Sequence, residues 1–377
     1  MTVLPDYQGM KSASHFDRVL IFLALSSATM CWAVTAALGA STTPPSQTIA
    51  VASPFDAPSS DKDGKPRGIS GMACLGTEQD ASRVCSVIND EEKFGQFAIL
   101  SNKTLTPSSD SVKFIGKNDV GEGVLGRQMP ASCPHGLAKK PFGELDGEGV
   151  AISDGYFYVS GSHSCSGNGS FKPSSYLLTR FATADGQPND HVAVERTWRL
   201  GEALLDSKVA GAYGKEKTVG TNVEGIAILQ GRLFAGLRTP VNDDVATIVS
   251  APVNELFAPG DVALPQADVQ TIQVRLGQRD SGIRDIAALS GNRLLILAGP
   301  TESQKNVPYE LRTVDTLDKD KVNESRFLMT VPQEDAEDEI GKAETVVVLG
   351  ESPNGIDVMI LYDNISEGRP TEYDNVH

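Results

Sequence analysis

Short runs of small and β-branched residues dominate the chain, and one such run occurs five times. The copies are GISGMACL (68–75), DGEGVAIS (146–153), NVEGIAIL (222–229), GIRDIAAL (282–289) and KAETVVVL (342–349). Each is followed, after a short link, by a second apolar run: CSVINDEE, YFYVSGSHS, RLFAGLRTPV, RLLILAGPT and VMILYDN. The periodicity is that of strands, and no strong amphipathic helix interrupts it. The links SDG, LQG, LSGN and SPNG supply the residues that tight hairpin turns need.

Further short strands are predicted behind the hairpins. They are GQFAIL and SVKFIG in the first unit, SYLLTRFA and ERTWRL in the second, ATIVSAPV and VQTIQVRL in the third, and YELRTVD and SRFLMTV in the fourth. Units of about four antiparallel strands predict an all-β fold, a β-propeller. Ser70, Glu148, Glu224, Arg284 and Glu344 hold equivalent places, with spacings of 78, 76, 60 and 60 residues, which gives five blades. Six is the alternative, because residues 117–145 have room for an irregular blade. The last copy lacks obvious strands behind its hairpin. SQTIAVASPF (46–55) is expected to complete that sheet and close the ring, leaving no open edge.

The N-terminus reads as an export signal over residues 1–40. Lys11 and Arg18 precede an uncharged stretch from Val19 to Ala40, followed by STTPPSQT. An uncleaved anchor is the alternative, since the stretch is nearly long enough to span a bilayer. Residues 41–66 then form a linker with the closing strand, and 67–377 the propeller. Beyond the signal, four cysteines remain: Cys74, Cys85, Cys133 and Cys165. An even count in an exported chain predicts disulfides, with three pairings open. Cys74 ends one strand and Cys85 opens the next across a turn, which favours that pair and leaves Cys133 with Cys165. The expected location is periplasmic or secreted.

The copies EGVAISDGYFYVSGSHS, NVEGIAILQGRLFAGLRTPV and GIRDIAALSGNRLLILAGP resemble the domain-of-unknown-function family 3616, exported bacterial propeller-like proteins. The resemblance spans roughly residues 66–365 and implies the propeller and its export, with no activity attached. A weaker likeness, carried by the Glu-Gly-hydrophobic-Ala motif alone, extends to phytase-like esterase propellers and calcium-dependent lactonase propellers. Arg284–Asp285 and Thr345 depart from that motif in two copies.

Antiparallel pairing sets the residue that opens each first strand beside the polar tail of the second. Ser70 then neighbours Asn89, Asp90 and Glu91, Glu148 neighbours Ser162 and His163, and Glu224 neighbours Arg238. Glu344 neighbours Asp363, and Arg284 and Asp285 lie near Pro300 and Thr301. With these hairpins innermost, all five clusters gather at one mouth of the central channel. Converging hard oxygens suit Ca²⁺, and Asp90, Glu148, Glu224, Asp285 and Glu344 are the candidate ligands. His163 is a candidate general base, and Arg238 and Arg284 are candidate clamps for developing negative charge. The competing view is structural: strand-end carboxylates tie blades together, the glycine allows close packing at the axis, and the arginines form plain ion pairs.

The formal charge of −16 repels phosphate backbones and anionic membranes, which argues against nucleic-acid partners and against membrane contact beyond the signal or anchor. No phosphate-binding loop, dinucleotide fingerprint, zinc-protease motif, EF-hand loop or nucleophile elbow is present. Two function classes follow. One is metal-assisted hydrolysis of a phosphoester, ester or lactone at the mouth. The other is a non-catalytic propeller that binds a small molecule, a divalent cation or a protein.

Overall fold

The structure, a computed structural model, describes residues 46–56, 66–183, 187, 191–315, 317–336 and 339–377. The expected signal segment lies outside the described residues. Among the described residues no helix is long and apolar enough to cross a membrane.

The period-2 runs form the five sheets of a propeller. Blade 1 holds Ile69–Cys74, Ser82–Asn89, Phe94–Ser101 and Thr104–Lys113, and blade 2 holds Gly147–Ser153, Tyr156–Gly161, Leu178–Ala182 and Val194–Thr197. Blade 3 holds Asn222–Leu229, Arg232–Thr239, Val245–Pro252 and Gln270–Arg275. Blade 4 holds Ser281–Leu289, Arg293–Pro300, Tyr309–Val314 and Arg326–Val331. Blade 5 holds Lys342–Ser352, Gly355–Asp363 and Thr371–Val376. Each first strand packs on that of the next blade, and the fifth packs on the first, so the five repeated motifs line the axis. Residues 117–145 contain no strand, only single bridges from Leu125 to Thr197 and from Leu137 to Phe171, and this removes the six-blade alternative.

The ring closes as expected, with an addition. Ser46–Thr48 pairs antiparallel with Thr371–Tyr373 as the outer strand of blade 5, and Ala50–Val51 runs parallel to Thr104–Leu105 on blade 1. One N-terminal segment therefore stitches the last blade to the first. Blade 3 gains a parallel edge from Val322–Glu324.

Hairpin turns follow from residue type. Asp154 and Gly155 have φ of 51° and 77°, and Gln230 and Gly231 have 50° and 72°, the paired left-handed conformations that match strand twist. Both disulfides form, Cys74–Cys85 and Cys133–Cys165. Between blades the core is aromatic: Phe97 meets Phe157 and Phe181 edge-on, with centroids 6.2 and 6.0 Å apart.

ERTWRL departs from expectation. Its strand ends at Thr197, and a helix, Arg199–Leu205, begins instead. The fully buried Arg199 donates to the carbonyls of Leu256, Ala258, Gly260 and Val262 at 2.6–3.2 Å. The Gly260 carbonyl also accepts from the Gly126 N–H at 3.1 Å, and the arginine satisfies and holds the carbonyls of this loop.

One irregularity recurs in every blade. Pairing between the first two strands shifts register between Ile69 and Gly71, Gly147 and Gly149, Val223 and Gly225, Ile283 and Asp285, and Ala343 and Thr345. The residue left without a partner is Ser70, Glu148, Glu224, Arg284 or Glu344, the five equivalent positions. A β-bulge leaves one residue out of the ladder and re-aims its side chain.

Candidate functional site

The bulges open one end of the channel into a cavity of about 480 Å³, lined among others by Ser70, Asp90, Glu148, Arg238, Arg284 and Glu344. The glycine after the bulge lets the first strands approach. A Cβ on Gly149 would sit 2.7 Å from the Ile226 nitrogen, and one on Gly225 would sit 2.5 Å from the Asp285 Cα. The five bulged side chains therefore share a narrow space. Carboxylate oxygens of Glu148, Glu224 and Glu344, all buried, lie within 4.8 Å of one another.

The mouth divides into a closed side and an open side. On the closed side Arg238 Nη1 lies 3.1 Å from Glu224, and Arg284 Nη2 lies 3.3 Å from Glu224 and also pairs with Glu344. Asn222 Nδ2 donates to Glu224 at 2.5 Å. On the open side the Glu148 carboxyl makes no hydrogen bond or ion pair among the described residues, and Oδ1 of Asp90 has no hydrogen-bond partner. Asp146 accepts from the Ser162 hydroxyl, and Lys342 Nζ lies 3.1 Å from Asp363.

Electrostatics follows this division. Burial, reinforced by Glu224, pushes the Glu148 carboxyl well above the usual range. Burial and then the nearby Asp146 do the same to Asp90. Burial acts on Glu224 in the same direction, but Arg238, Arg284 and Lys217 overcome it and hold that carboxyl below its ordinary value. Lys217 is raised: burial opposes its charge, and Asp146, Glu148 and Glu224 outweigh that cost.

Not every candidate reaches the mouth in the expected role. Asp285 occupies the place of the glycine in blades 1 to 3, and its carboxylate accepts from the backbone of Ile286 and of Val346 in blade 5, both at 2.8 Å. It ties blade to blade. His163 is fully buried, is not among the residues lining the cavity, and stacks edge-on with Tyr176 at 5.7 Å. Its backbone takes a left-handed turn, φ 51°, and its N–H donates to the Ser175 carbonyl, which carries the ring into the core. Burial pushes its pKa down to about 3. Glu91 lines a neighbouring groove.

The lining residues that were not anticipated include Tyr309 and Lys217. Tyr309 comes from the third strand of blade 4. Lys217 comes from the KEKTVG loop, whose backbone is pinned when the Thr239 hydroxyl donates to the carbonyls of Lys217 and Gly220 at 3.0 and 2.8 Å. A charged loop reads as solvated, and only the cavity shows that this one folds inward.

Fold and site define a class: a five-bladed β-propeller whose axial mouth carries a buried cluster of carboxylates and cations. Residues 193–377, from the outer strand of blade 2 to the C-terminus, match the family described as Protein of unknown function (DUF3616). No curated protein matches the sequence. Among solved structures, the chain is similar to an alpha-L-arabinanase of Penicillium chrysogenum complexed with arabinobiose, at 11% identity over 87% of this chain and 86% of that one, TM-score 0.34. It is also similar to the alpha-L-arabinofuranosidase PaAbf62A of Podospora anserina in complex with cellotriose, at 8% identity over 88% and 96%, TM-score 0.38. A glycosyl hydrolase of Bacteroides ovatus aligns at 12% identity over 88% and 93%, TM-score 0.39. Likeness at this level carries no argument about activity.

Proposed function

We propose that the mouth is a hydrolytic site for an ester, lactone or phosphoester of a small polar molecule, with Glu148 as general acid and Glu224 as general base. The observation that carries this reading is the juxtaposition of two carboxylates, within 4.8 Å, whose surroundings shift their pKa values in opposite directions. Glu224 takes a proton from water, and the hydroxide attacks the carbonyl carbon or phosphorus. Glu148 gives its proton to the leaving oxygen. Glu148 is then the stronger base of the pair, so the proton on Glu224 returns to it and the site resets. Lys217 has no hydrogen bond or ion pair through its ammonium among the described residues and is the cation free to meet developing negative charge. Arg238 and Arg284 serve by keeping Glu224 ionised.

The test is turnover of p-nitrophenyl acetate, p-nitrophenyl phosphate and a chromogenic lactone by the wild type and Glu148→Gln. The reading expects activity on at least one, falling as pH rises past the raised pKa of Glu148, and lowered about 10²–10⁴-fold in the variant. No turnover of any of the three, or turnover undiminished in the variant, contradicts the reading and leaves the mouth a binding site.

A second reading rests on the three converging carboxylates: Ca²⁺ held by Glu148, Glu224 and Glu344 after Arg284 swings off Glu344. Saturable heat on calcium titration, lost in Glu148→Gln, supports it; a titration without heat removes it. Placement in the periplasm or medium belongs to the same proposal, and the two disulfides support it.

A further inference from the structure

A second and larger cavity, about 920 Å³, lies beside the mouth, and its lining includes Lys93, His135, Lys139, Lys140 and Lys172. The two cavities meet where consecutive residues line one and then the other: Asp90 faces the mouth and Glu91 the groove, and Gly167 and Asn168 divide in the same way. Two loops build the groove together with the turn that carries Glu91, Glu92 and Lys93. One follows Cys133 and the other follows Cys165, and the disulfide between them fixes their bases. The Phe171 N–H donates to the Gly136 carbonyl at 2.6 Å and the His135 N–H to the Gly169 carbonyl at 3.0 Å, so the loops are clasped rather than loose.

The charge of this groove runs against that of the molecule. The chain carries 49 acidic and 33 basic residues, yet this one concavity is lined by four lysines against three glutamates, Glu91, Glu92 and Glu144. Lys172 is ion-paired with Glu144, while Lys93, Lys139 and Lys140 have no hydrogen bond or ion pair through their ammonium groups among the described residues. Unpaired cations that share a concavity raise the local potential and concentrate anions there, whereas the surrounding acidic surface repels them. The groove has no Phe, Tyr or Trp in its lining, so it offers no stacking platform for nucleobases.

We propose that this groove is the far subsite of the mouth and holds a carboxylate or phosphate group borne by an elongated substrate. The proposal rests on the hydrolytic reading of the mouth and adds the substrate's class: a molecule with its scissile bond at one end and an anionic group at the other. The cleavable end lies against Glu148 on the open side, which is the side that adjoins the groove. Lys139 and Lys140, both exposed, contact the anion directly.

The test is calorimetric titration of the full chain with tricarballylate and, separately, with tripolyphosphate, at low and at about 0.5 M salt, where exposed charges are screened within a few ångströms. The wild type should bind at least one probe saturably, more weakly at high salt, and the probe that binds distinguishes carboxylate from phosphate. Lys139→Gln/Lys140→Gln should weaken binding about tenfold, the sum expected for two surface charges, with an unchanged melting temperature. Binding of neither probe, or equal binding by the double variant, overturns the proposal. Glu148→Gln run in parallel separates the two claims: it should bind the probe as the wild type does. If it also keeps full turnover while the lysine variant loses binding, the hydrolytic reading fails and the anion site stands.

Discussion

The two ends of the central channel are lined by the same five strands and have opposite characters. Below the bulges a cavity of about 150 Å³ is lined by aliphatic triplets such as Val150–Ala151–Ile152, Ile226–Ala227–Ile228 and Val346–Val347–Val348. Above them the equivalent positions are Ser70, Glu148, Glu224, Arg284 and Glu344, one different environment per blade. The floor treats its blades as interchangeable and the mouth does not. The bulge is the boundary: it lets the ladder continue while one residue per blade leaves the packing pattern. Stability can then be carried by repetition and chemistry by its departures, and the two should be separable by mutation.

The largest effect should come from breaking the mouth's own compensation. Arg284→Met leaves Glu224 and Glu344 facing one another without their shared cation, and should cost about 3–5 kcal/mol in denaturant unfolding, because a buried charge loses its partner. Recovery of stability when Glu224→Gln and Glu344→Gln are added would confirm that charge, not shape, was lost. On the floor, Ile226→Ala should cost about 2–5 kcal/mol, since the side chain is 1% exposed and leaves a cavity. Its turnover per folded molecule should stay at the wild-type level; a fall would mean that floor and mouth are not separable. Replacing Cys74 and Cys85 by serine opens a bridge spanning 11 residues and should cost about 2–3 kcal/mol, read as a lower melting temperature with the mouth unaltered.

Much of this was legible in the chain. Period-2 runs, paired hairpin turns and the five-fold motif lead to the blades, and the hairpin geometry correctly sets Ser70 beside Asn89 and Glu224 beside Arg238. The bulges were not legible, because one extra residue does not disturb an apolar run that is buried on both faces. Thr371–Val376 was missed because TEYDNV has too few apolar residues to read as a strand; its place is secured by pairing on both sides with Gly355–Asp363 and Ser46–Thr48. His163 was misplaced because the polar SHS context reads as a rim, while the left-handed turn at that residue sends the ring inward. Lys217 was lost in a loop whose charges look solvated.

Smaller effects sharpen the comparison through pH. His163 is buried and neutral with its folded pKa depressed to about 3, so its contribution to stability is present above the unfolded value of about 6.5 and is lost as pH falls from there toward 3. His163→Phe should flatten the acid side of the stability curve and leave turnover alone. Glu148 acts in the opposite sense. Its folded pKa is raised, so its stability is complete below the unfolded value of about 4.3 and declines as pH rises through the folded value. Glu148→Gln should remove that decline and be neutral or stabilising at pH 7, even as it lowers turnover.

The central claim is that Glu148 and Glu224, a few ångströms apart, have pKa values shifted in opposite directions. Carboxyl ¹³C resonances of glutamate-labelled protein, followed from acid to alkaline pH, test it without any substrate. The account predicts that the signal missing from Glu148→Gln titrates above the ordinary glutamate range, while a second buried signal that shifts in that variant, from Glu224, titrates below it. Both carboxyls titrating together in the ordinary range, or in the reverse order, would contradict it.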